Sequence, residues 1–173
     1  MAEQYSIRLR APEPSDVALL YTWENDLALW NYSENLTQLS VFQIEHFILN
    51  NQDIFTNRQI RFMIELSTEE LAEPIGTVDL YDFDPIHARA GVGIMIEARH
   101  RRKGFAKKAL ELLEQYAFEK LLLRQLYCYI NADNEESIRL FLSRKFVHSG
   151  TKKDWIRTKD SWIDQLHFQL IRQ

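Results

Sequence analysis

The fold of this chain is indicated most clearly by residues 99–106, which read Arg99-His100-Arg101-Arg102-Lys103-Gly104-Phe105-Ala106. They follow an apolar stretch at 92–96 and open an amphipathic one, so the pattern predicts a strand, a turn and a helix in succession. The first N–H groups of a helix have no partner inside the helix, and the helix dipole makes that end partly positive. Arginine and lysine side chains add cationic groups at the same place, which is typical of a phosphate-binding turn.

Small residues in this turn favour the close approach of a ligand. Gly104 lets the backbone come near a pyrophosphate, and Ala106 is small where the helix packs near the strand or the ligand. The turn lacks the glycine spacing of a P-loop, and residues 91–93 match only the first two glycines of a dinucleotide-binding fingerprint. Those two glycines are interpreted as strand residues that permit a bulge or a close backbone approach. The alternative for the basic turn is a helix start that simply faces water.

The segments on either side of the turn alternate between strand and helix patterns. Strands are predicted at 5–10, 58–66, 75–83, 89–96, 126–130, 146–157 and 161–171. Helices are predicted after N-caps at Ser15 and Ser40, from about residue 103, and at 134–145, with a turn at 68–74. The strand–helix–strand step from 91 to 130 indicates one parallel crossover. We therefore expect a single α/β domain over residues 1–173, with a mixed, mostly antiparallel central sheet flanked by helices.

Composition excludes several classes of protein. The chain has 173 residues, a formal net charge of -4 and a pI of about 5.8, which argues against nucleic acid as the main partner. We find no signal-peptide pattern and no apolar run near the roughly 18 residues of a membrane span, so we expect a cytoplasmic protein that does not bind a membrane. Cys128 is the single cysteine, so no intramolecular disulfide forms. No cluster has metal-ligand spacing, and we expect no metal.

The chain resembles the GNAT superfamily of N-acetyltransferases. Residues 101–106 fit that family's Arg/Gln-x-x-Gly-x-Gly/Ala acetyl-CoA motif, and the strand before them and the segment 134–141 follow in the family's order. The likeness covers nearly the whole chain. Residues 7–16 and 23–26 are similar to ribosomal-protein alanine acetyltransferases, whereas 78–90 is closer to bacterial spermidine and diamine acetyltransferases.

The resemblance implies a cofactor site for acetyl-CoA as cosubstrate. Backbone groups of Ile94, Met95 and Ile96 would meet the pantetheine arm and thioester in a splay between two parallel strands. The pyrophosphate would be held by N–H groups of the turn, from Arg101, Arg102, Lys103, Gly104, Phe105 and Ala106. Asn134 would reach the cofactor from the next helix, although an N-cap role for its side chain is at least as well supported.

Two positions depart from the family pattern. Many relatives carry a tyrosine, thought to protonate the leaving thiolate, where this chain has Phe141, so a core role is favoured for Phe141. Tyr129 and Tyr116 are possible substitutes, although such tyrosines more often pack in the core. Relatives also often carry a glutamate in place of Gly91, which removes an obvious base. Cys128 is expected to be a small core residue and not a nucleophile.

Acetyl transfer to an amine needs a group that accepts a proton, because an alkylamine is mostly protonated at neutral pH. The candidate bases are His87, Asp82 and Glu24, with Asp79, Asp84 and Glu34 as further candidates. His87 receives more weight because histidine titrates near working pH. Backbone N–H groups at a strand bulge near residues 93–95 are the candidate oxyanion site.

Three functions remain open at this point. Acidic residues at 79–84 favour a cationic polyamine or diamine acceptor, whereas the opening segment favours acetylation of a protein N-terminus. Phe141 and Gly91 motivate a third possibility, a CoA-binding domain without catalysis. Trp155 and Trp162, if exposed, are candidates for the face of a homo-oligomer.

Overall fold

A seven-stranded mixed sheet forms the centre of the chain in the computed structural model, which describes residues 5–26, 37–50, 53–69 and 71–172. Its strands are β1 Ser6–Arg10, β2 Ile60–Ser67, β3 Ala72–Asp84, β4 Arg89–Ile96, β5 Gln125–Asn131, β6 Val147–Arg157 and β7 Trp162–Ile171. Their spatial order is β1-β2-β3-β4-β5-β7-β6, and among these strands only β4 and β5 pair in parallel. The expected mixed, mostly antiparallel sheet is confirmed. The candidate base Glu34 lies outside the described residues.

Helices cover both faces of this sheet. The described helices are α1 Val17–Glu24, α2 Val41–Asn50, the single turn α3 Ile54–Asn57, α4 Phe105–Gln115 and α5 Glu135–Ser143. A π-helical turn, Tyr116–Lys120, continues α4. α4 and α5 bury the larger core against one face, and α1 and α2 bury a smaller cluster against the other.

Period-two alternation in β2 explains how one strand serves both cores. Ile64 is fully buried in the larger core, whereas its neighbour Met63 is fully buried in the smaller one. Successive side chains of a strand point to opposite faces, so Arg61 and Glu65 share the face of Met63, beneath α1. The polar residues of β2 are thereby placed between the sheet and the first helix.

Two predicted N-caps have different outcomes. Ser40 caps α2 as predicted, because its Oγ accepts from the Gln43 N–H at 3.2 Å and its own N–H donates to the Gln43 side chain at 2.8 Å. The N-cap at Ser15 is wrong, since residues 14–16 form a 3-10 turn and Asp16 precedes α1. Asp16 takes the N-cap position without a side-chain hydrogen bond to α1, and its carboxylate instead accepts the Glu13 N–H at 2.7 Å within the 3-10 turn.

The predicted turn at 68–74 is too long, because β3 already begins at Ala72. Pro74 lies inside the strand, where it lacks an N–H for the ladder. The register between β2 and β3 shifts between Ile64 and Glu65, opposite this proline. An irregularity of this kind is where a strand tolerates proline.

An ion cluster fixes the start of α1 to the sheet. Arg10 of β1 donates to both carboxylate oxygens of Asp16, at 2.7 and 2.9 Å, and to Glu65 at 2.6 Å. Burial alone would raise the pKa of Asp16, but the hydrogen bonds from Arg10 and the Glu13 N–H outweigh it and lower that pKa. The hydrogen bond from Arg8, with a contribution from Arg10, lowers the pKa of Glu65 against the effect of burial. Both carboxylates are therefore ionised at neutral pH.

Candidate functional site

The two parallel strands separate partway along their length. β4 and β5 are paired only from Arg89 with Gln125 to Gly91 with Tyr127, and residues beyond Gly91 diverge from β5. A cavity of about 1170 Å³ extends from this splay, and Gly93, Ile94, Met95 and Ile96 form part of its wall. Backbone groups of β4 that would pair with a neighbouring strand thus border the cavity.

The predicted bulge at 93–95 is absent from this strand. The register of β4 with β3 runs without interruption from Ile96 to Gly91, and its irregularity falls at Tyr81–Asp84 instead. Any oxyanion donor at 93–95 must therefore come from the open edge of β4 and not from a bulge. The divergence of β5 exposes that edge.

The basic turn after β4 closes one end of the cavity. Gly104 adopts a φ of 84° and is the N-cap residue of α4, and a Cβ placed on it would meet nothing within 4 Å. Left-handed backbone of this kind favours glycine. The Nε of Arg101 donates to the Ile96 carbonyl at 2.9 Å and ties the turn to the end of β4. The free N–H groups of the helix start border the cavity, as expected for a phosphate site.

The start of α5 forms the opposite lip of this end. Asn134 lines the cavity, and its Oδ1 accepts from the Ser137 N–H at 3.2 Å as the N-cap of α5. Glu136 bonds to Arg102 across the opening at 2.7 Å. The N-cap alternative for Asn134 is confirmed, and its position on the cavity wall leaves contact with a cofactor open to it.

The other end of the cavity is lined by charged residues. Glu24 ends α1, Asp26 follows it, and Asp79 lies on β3 opposite Gly93. Arg61 of β2 donates to the two oxygens of Asp79 at 2.8 and 2.7 Å and also to Glu24. These three carboxylates and one guanidinium make this end of the cavity formally negative by two charges.

Arg61 is the residue of this group that sequence reasoning missed. Burial alone would lower the pKa of Arg61, but the carboxylates of Asp79 and Glu24 outweigh it and raise that pKa above its ordinary value. The guanidinium also lies 5.1 Å from the ring centre of Phe47 on α2. The available signal was the single cation between Ile60 and Phe62, on the polar side of an amphipathic strand.

Most of the predicted site residues border the same cavity. The residues that line it are Glu24, Ile94, Met95, Ile96, Arg101, Arg102, Gly104, Phe105, Ala106 and Asn134. Lys103 belongs to the turn, but its side chain is exposed and is not part of the lining. The predicted cofactor-binding residues, apart from Lys103, therefore lie around one cavity.

His87 and Asp82 are not brought to the cavity. Both are exposed at the β3–β4 hairpin, where Asp84 accepts the N–H groups of Ile86 and His87 at 3.0 Å. His87 precedes Ile94 by seven residues, which is roughly 23 Å along an extended strand. The hairpin lies at the opposite end of β4 from the splay, so the geometry favours Glu24 and Asp79 as acid–base groups.

The two departures from the family pattern have structural reasons. A Cβ on Gly91 would lie 2.3 Å from the ring of Tyr81, so this aromatic ring leaves no room for a side chain at position 91. Phe141 is buried and packs edge-to-face on Phe146, with ring centres 5.0 Å apart. The core role of Phe141 is confirmed.

Neither substitute tyrosine lies on the cavity wall. Tyr116 packs against Phe62 with ring centres 5.1 Å apart, and Tyr129 packs against His167 at 4.9 Å. Cys128 is buried in the larger core, and burial raises the pKa of its thiol. A thiol held in that form is a poor nucleophile, as expected for a core residue.

His100 is a second residue that sequence reasoning missed. It lines the cavity beside Arg101 and is only 6% exposed. Neither ring nitrogen has a hydrogen-bond partner among the described residues, and Nε2 lies 3.6 Å from a Glu73 carboxylate oxygen. Buried polar atoms of this kind are commonly satisfied by water or ligand, which fits a wall that receives a polar molecule.

A parallel-strand splay that leads to a basic turn at a helix start defines an acyl-CoA-dependent acyltransferase. The chain matches the acetyltransferase (GNAT) domain family over residues 6–147 and belongs to that family. Its members transfer an acetyl group from acetyl-CoA to an amine, so the protein is an N-acetyltransferase.

Among the relatives are two spermidine N(1)-acetyltransferases. That of Vibrio cholerae is 28% identical over 144 residues, which cover 83% of this chain and 80% of the relative. That of Escherichia coli K12 is 26% identical over 155 residues, which cover 87% and 77%. The structure of the Vibrio cholerae enzyme in complex with CoA and spermine superposes with a TM-score of 0.83 at 24% identity, covering 95% of both chains. This last likeness concerns the fold.

Two features are absent from the described residues. No helix in this part of the chain is long and apolar enough to cross a membrane. Over the same ranges, no three histidine, cysteine, aspartate or glutamate side chains gather as a metal site would require.

Proposed function

We propose that the protein acetylates a small polyamine or diamine, with acetyl-CoA as the acetyl donor. The observation that carries this proposal is the negative end of the cavity, where, among the residues that the structure describes, Glu24, Asp26 and Asp79 outnumber the one cation Arg61. An acceptor with several ammonium groups is attracted to such a wall. The spermidine N(1)-acetyltransferases among the relatives support the same class of acceptor.

The other end of the cavity fits the acetyl donor. In this proposal, N–H groups at the start of α4 bind the pyrophosphate, and Gly104 allows its close approach. The open edge of β4 at Ile94–Ile96 hydrogen-bonds the pantetheine arm and stabilises negative charge on the thioester oxygen. Asn134 contacts the donor from the opposite lip.

Proton transfer is assigned to the carboxylates at the acceptor end. An alkylamine is mostly protonated at neutral pH and attacks only as the neutral amine. Glu24 accepts the proton through water, and Asp79 holds the cationic acceptor beside it. The nitrogen then bonds to the carbonyl carbon while the carbon–sulfur bond breaks; the sulfur departs as a thiolate, and the nitrogen loses its extra proton to water.

The thiolate takes its proton from solvent in this scheme. No tyrosine among the described residues lines the cavity, and Phe141 has no proton to donate. A thiol has a pKa near 8.5, so its thiolate is a far weaker base than an alkoxide. Departure without a dedicated acid is therefore feasible near neutral pH.

The test is thiol release from acetyl-CoA with spermidine, a short diamine and an alanine-starting peptide as separate acceptors. Turnover with spermidine or the diamine, and little with the peptide, is the expected result. Preference for the peptide would move the assignment to acetylation of protein N-termini. No turnover with any of the three, while acetyl-CoA still raises the Tm, would leave a CoA-binding domain without catalysis.

We also infer a homo-oligomer. Trp155 and Trp162 are 56% and 57% exposed on the β6–β7 hairpin, and large exposed aromatic side chains are enriched at protein interfaces. A structure of the Vibrio cholerae spermidine N-acetyltransferase, to which this chain is similar in fold, is dodecameric. Light scattering on the wild-type protein and on a W155S/W162S variant tests this, and a wild-type monomer would contradict it.

A further inference from the structure

Arg61 joins three elements at the acceptor end of the cavity. Its guanidinium donates two parallel hydrogen bonds to Asp79 of β3, at 2.8 and 2.7 Å, and another to Glu24 at the end of α1. Phe47 of α2 covers the group at 5.1 Å. The side chain is 15% exposed, so little water competes for these contacts.

Glu24 needs such an anchor. As the last residue of α1, it lies where the helix dipole is partly negative and disfavours a carboxylate. A cation beside it offsets that repulsion. The planar guanidinium fork also fixes direction, because its N–H groups leave the plane at set angles and bind Asp79 through two of them.

We propose that Arg61 is a positioning residue for acetyl transfer, which holds the Glu24 carboxylate at a fixed place beside Asp79. This inference rests on the proposed function, in which Glu24 is the base. Arg61 acts through the two carboxylates and makes no contact with the reacting atoms. Misplacement of a reacting group by about 1 Å can cost on the order of a hundredfold in rate, so a buried clamp of this kind affects catalysis.

The described groups near Glu24 come from several elements. Arg61 belongs to β2, Asp79 to β3 and Asp26 to the segment after α1, while α2 contributes the uncharged ring of Phe47. Gly93 of β4 faces Asp79 without a charge. Among the described residues of this group, Arg61 is the cation that both carboxylates share.

Two substitutions separate the geometry from the charge. R61K keeps the positive charge but cannot form the two-pronged contact. R61Q keeps N–H donors but loses the charge. We expect both variants to lower kcat with the acceptor amine by on the order of tenfold or more, with the KM for acetyl-CoA unchanged. A loss of kcat in R61K, which retains the charge, identifies the two-pronged contact as the feature that matters.

Arg10 provides a matched control. It also bridges two carboxylates, Asp16 and Glu65, on the same face of the sheet, but it does not line the cavity. R10K is expected to lower the Tm as R61K does, while kcat per folded molecule and the pH–rate profile stay as in the wild type. Circular dichroism establishes the folded fraction of each variant.

The outcomes distinguish this inference from the function on which it rests. If the wild type turns over the amine and both R61K and R61Q are as active as R10K, the role of Arg61 is overturned but the proposed function stands. A loss of activity that merely follows the folded fraction would assign Arg61 to stability and overturn it as well. Absence of wild-type turnover with every amine would overturn the proposed function and this inference together.

Discussion

The two ends of α1 are fastened to the same sheet by the same chemistry. At its start, Arg10 binds both oxygens of Asp16 and one oxygen of Glu65. At its end, Arg61 binds both oxygens of Asp79 and also Glu24. Each cluster pairs one largely buried arginine with two carboxylates, and in the first cluster the exposed Arg8 also binds Glu65.

The two clusters differ in what lies beside them. The Arg10 cluster packs against the edge of the sheet, and its carboxylates are 4% and 7% exposed. The Arg61 cluster forms part of the cavity wall, and its carboxylates are 22% and 14% exposed. Similar ion pairs therefore lie away from the cavity at one end of α1 and on the cavity wall at the other. The surroundings, and not the residue types, decide which role applies.

The largest effect is expected from breaking the structural cluster. D16A leaves the Arg10 charge buried with half of its compensation, and removing one partner of a buried pair typically costs about 3–5 kcal/mol. We expect urea denaturation to show a loss of this size in the free energy of unfolding. Activity per folded molecule should be unchanged, and a fall in kcat at constant folded fraction would contradict the division between the clusters.

The next largest effect is expected from the cluster in the cavity wall. E24Q keeps the size of the side chain but cannot accept a proton, and general-base catalysis contributes about a hundredfold or more. We expect kcat to fall by that factor, with a smaller loss in the free energy of unfolding than in D16A, because the glutamine oxygen can still accept a hydrogen bond from Arg61. D26N is the matched control on the same segment: it removes a charge that attracts the acceptor but not the base, so it should raise the KM for the amine and retain most of the kcat. Full activity of E24Q would remove Glu24 as the base.

Acid pH should weaken the cluster of Arg10, Asp16 and Glu65. The pKa values of Asp16 and Glu65 are lowered in the folded protein, so the folded state binds fewer protons than the unfolded chain. Their contribution to stability is complete above the unfolded values of about 4 and is lost as the pH falls through the folded values. D16N should therefore show a flatter loss of stability below about pH 4 than the wild type. Parallel curves from chemical denaturation would contradict this.

Local chemistry explains what the sequence predicted well. The basic turn and Gly104 lie within a few residues of the strand and helix that they join, so one stretch of sequence contains the whole phosphate-binding arrangement. Alternation along β2 likewise places Ile60, Phe62, Ile64 and Leu66 on one face. Signals of this kind need no knowledge of which strands are neighbours.

Arg61 and His87 show that contacts between distant parts of the chain could not be predicted from the sequence. Arg61 reaches Asp79 because the register of β2 and β3 sets the two opposite each other, and it reaches Glu24 because α1 crosses that face. Neither fact can be read from spacing along the chain. The placement of His87 at the site was not met for the same reason. Its proximity to β4 in the sequence does not reveal that the hairpin and the splay lie at opposite ends of the strand.

The smallest effect is expected from an exposed pair that carries the same charges. Lys108 and Glu111 on α4 are 2.9 Å apart and about half exposed, and such pairs contribute little to stability. E111Q removes one negative charge, as D16N and E24Q do, and should change the Tm by less than about 2 °C. Its kcat and KM should equal those of the wild type. If E111Q instead lost stability like D16N or activity like E24Q, the effects would follow net charge, and the burial and placement of the clusters would not explain them.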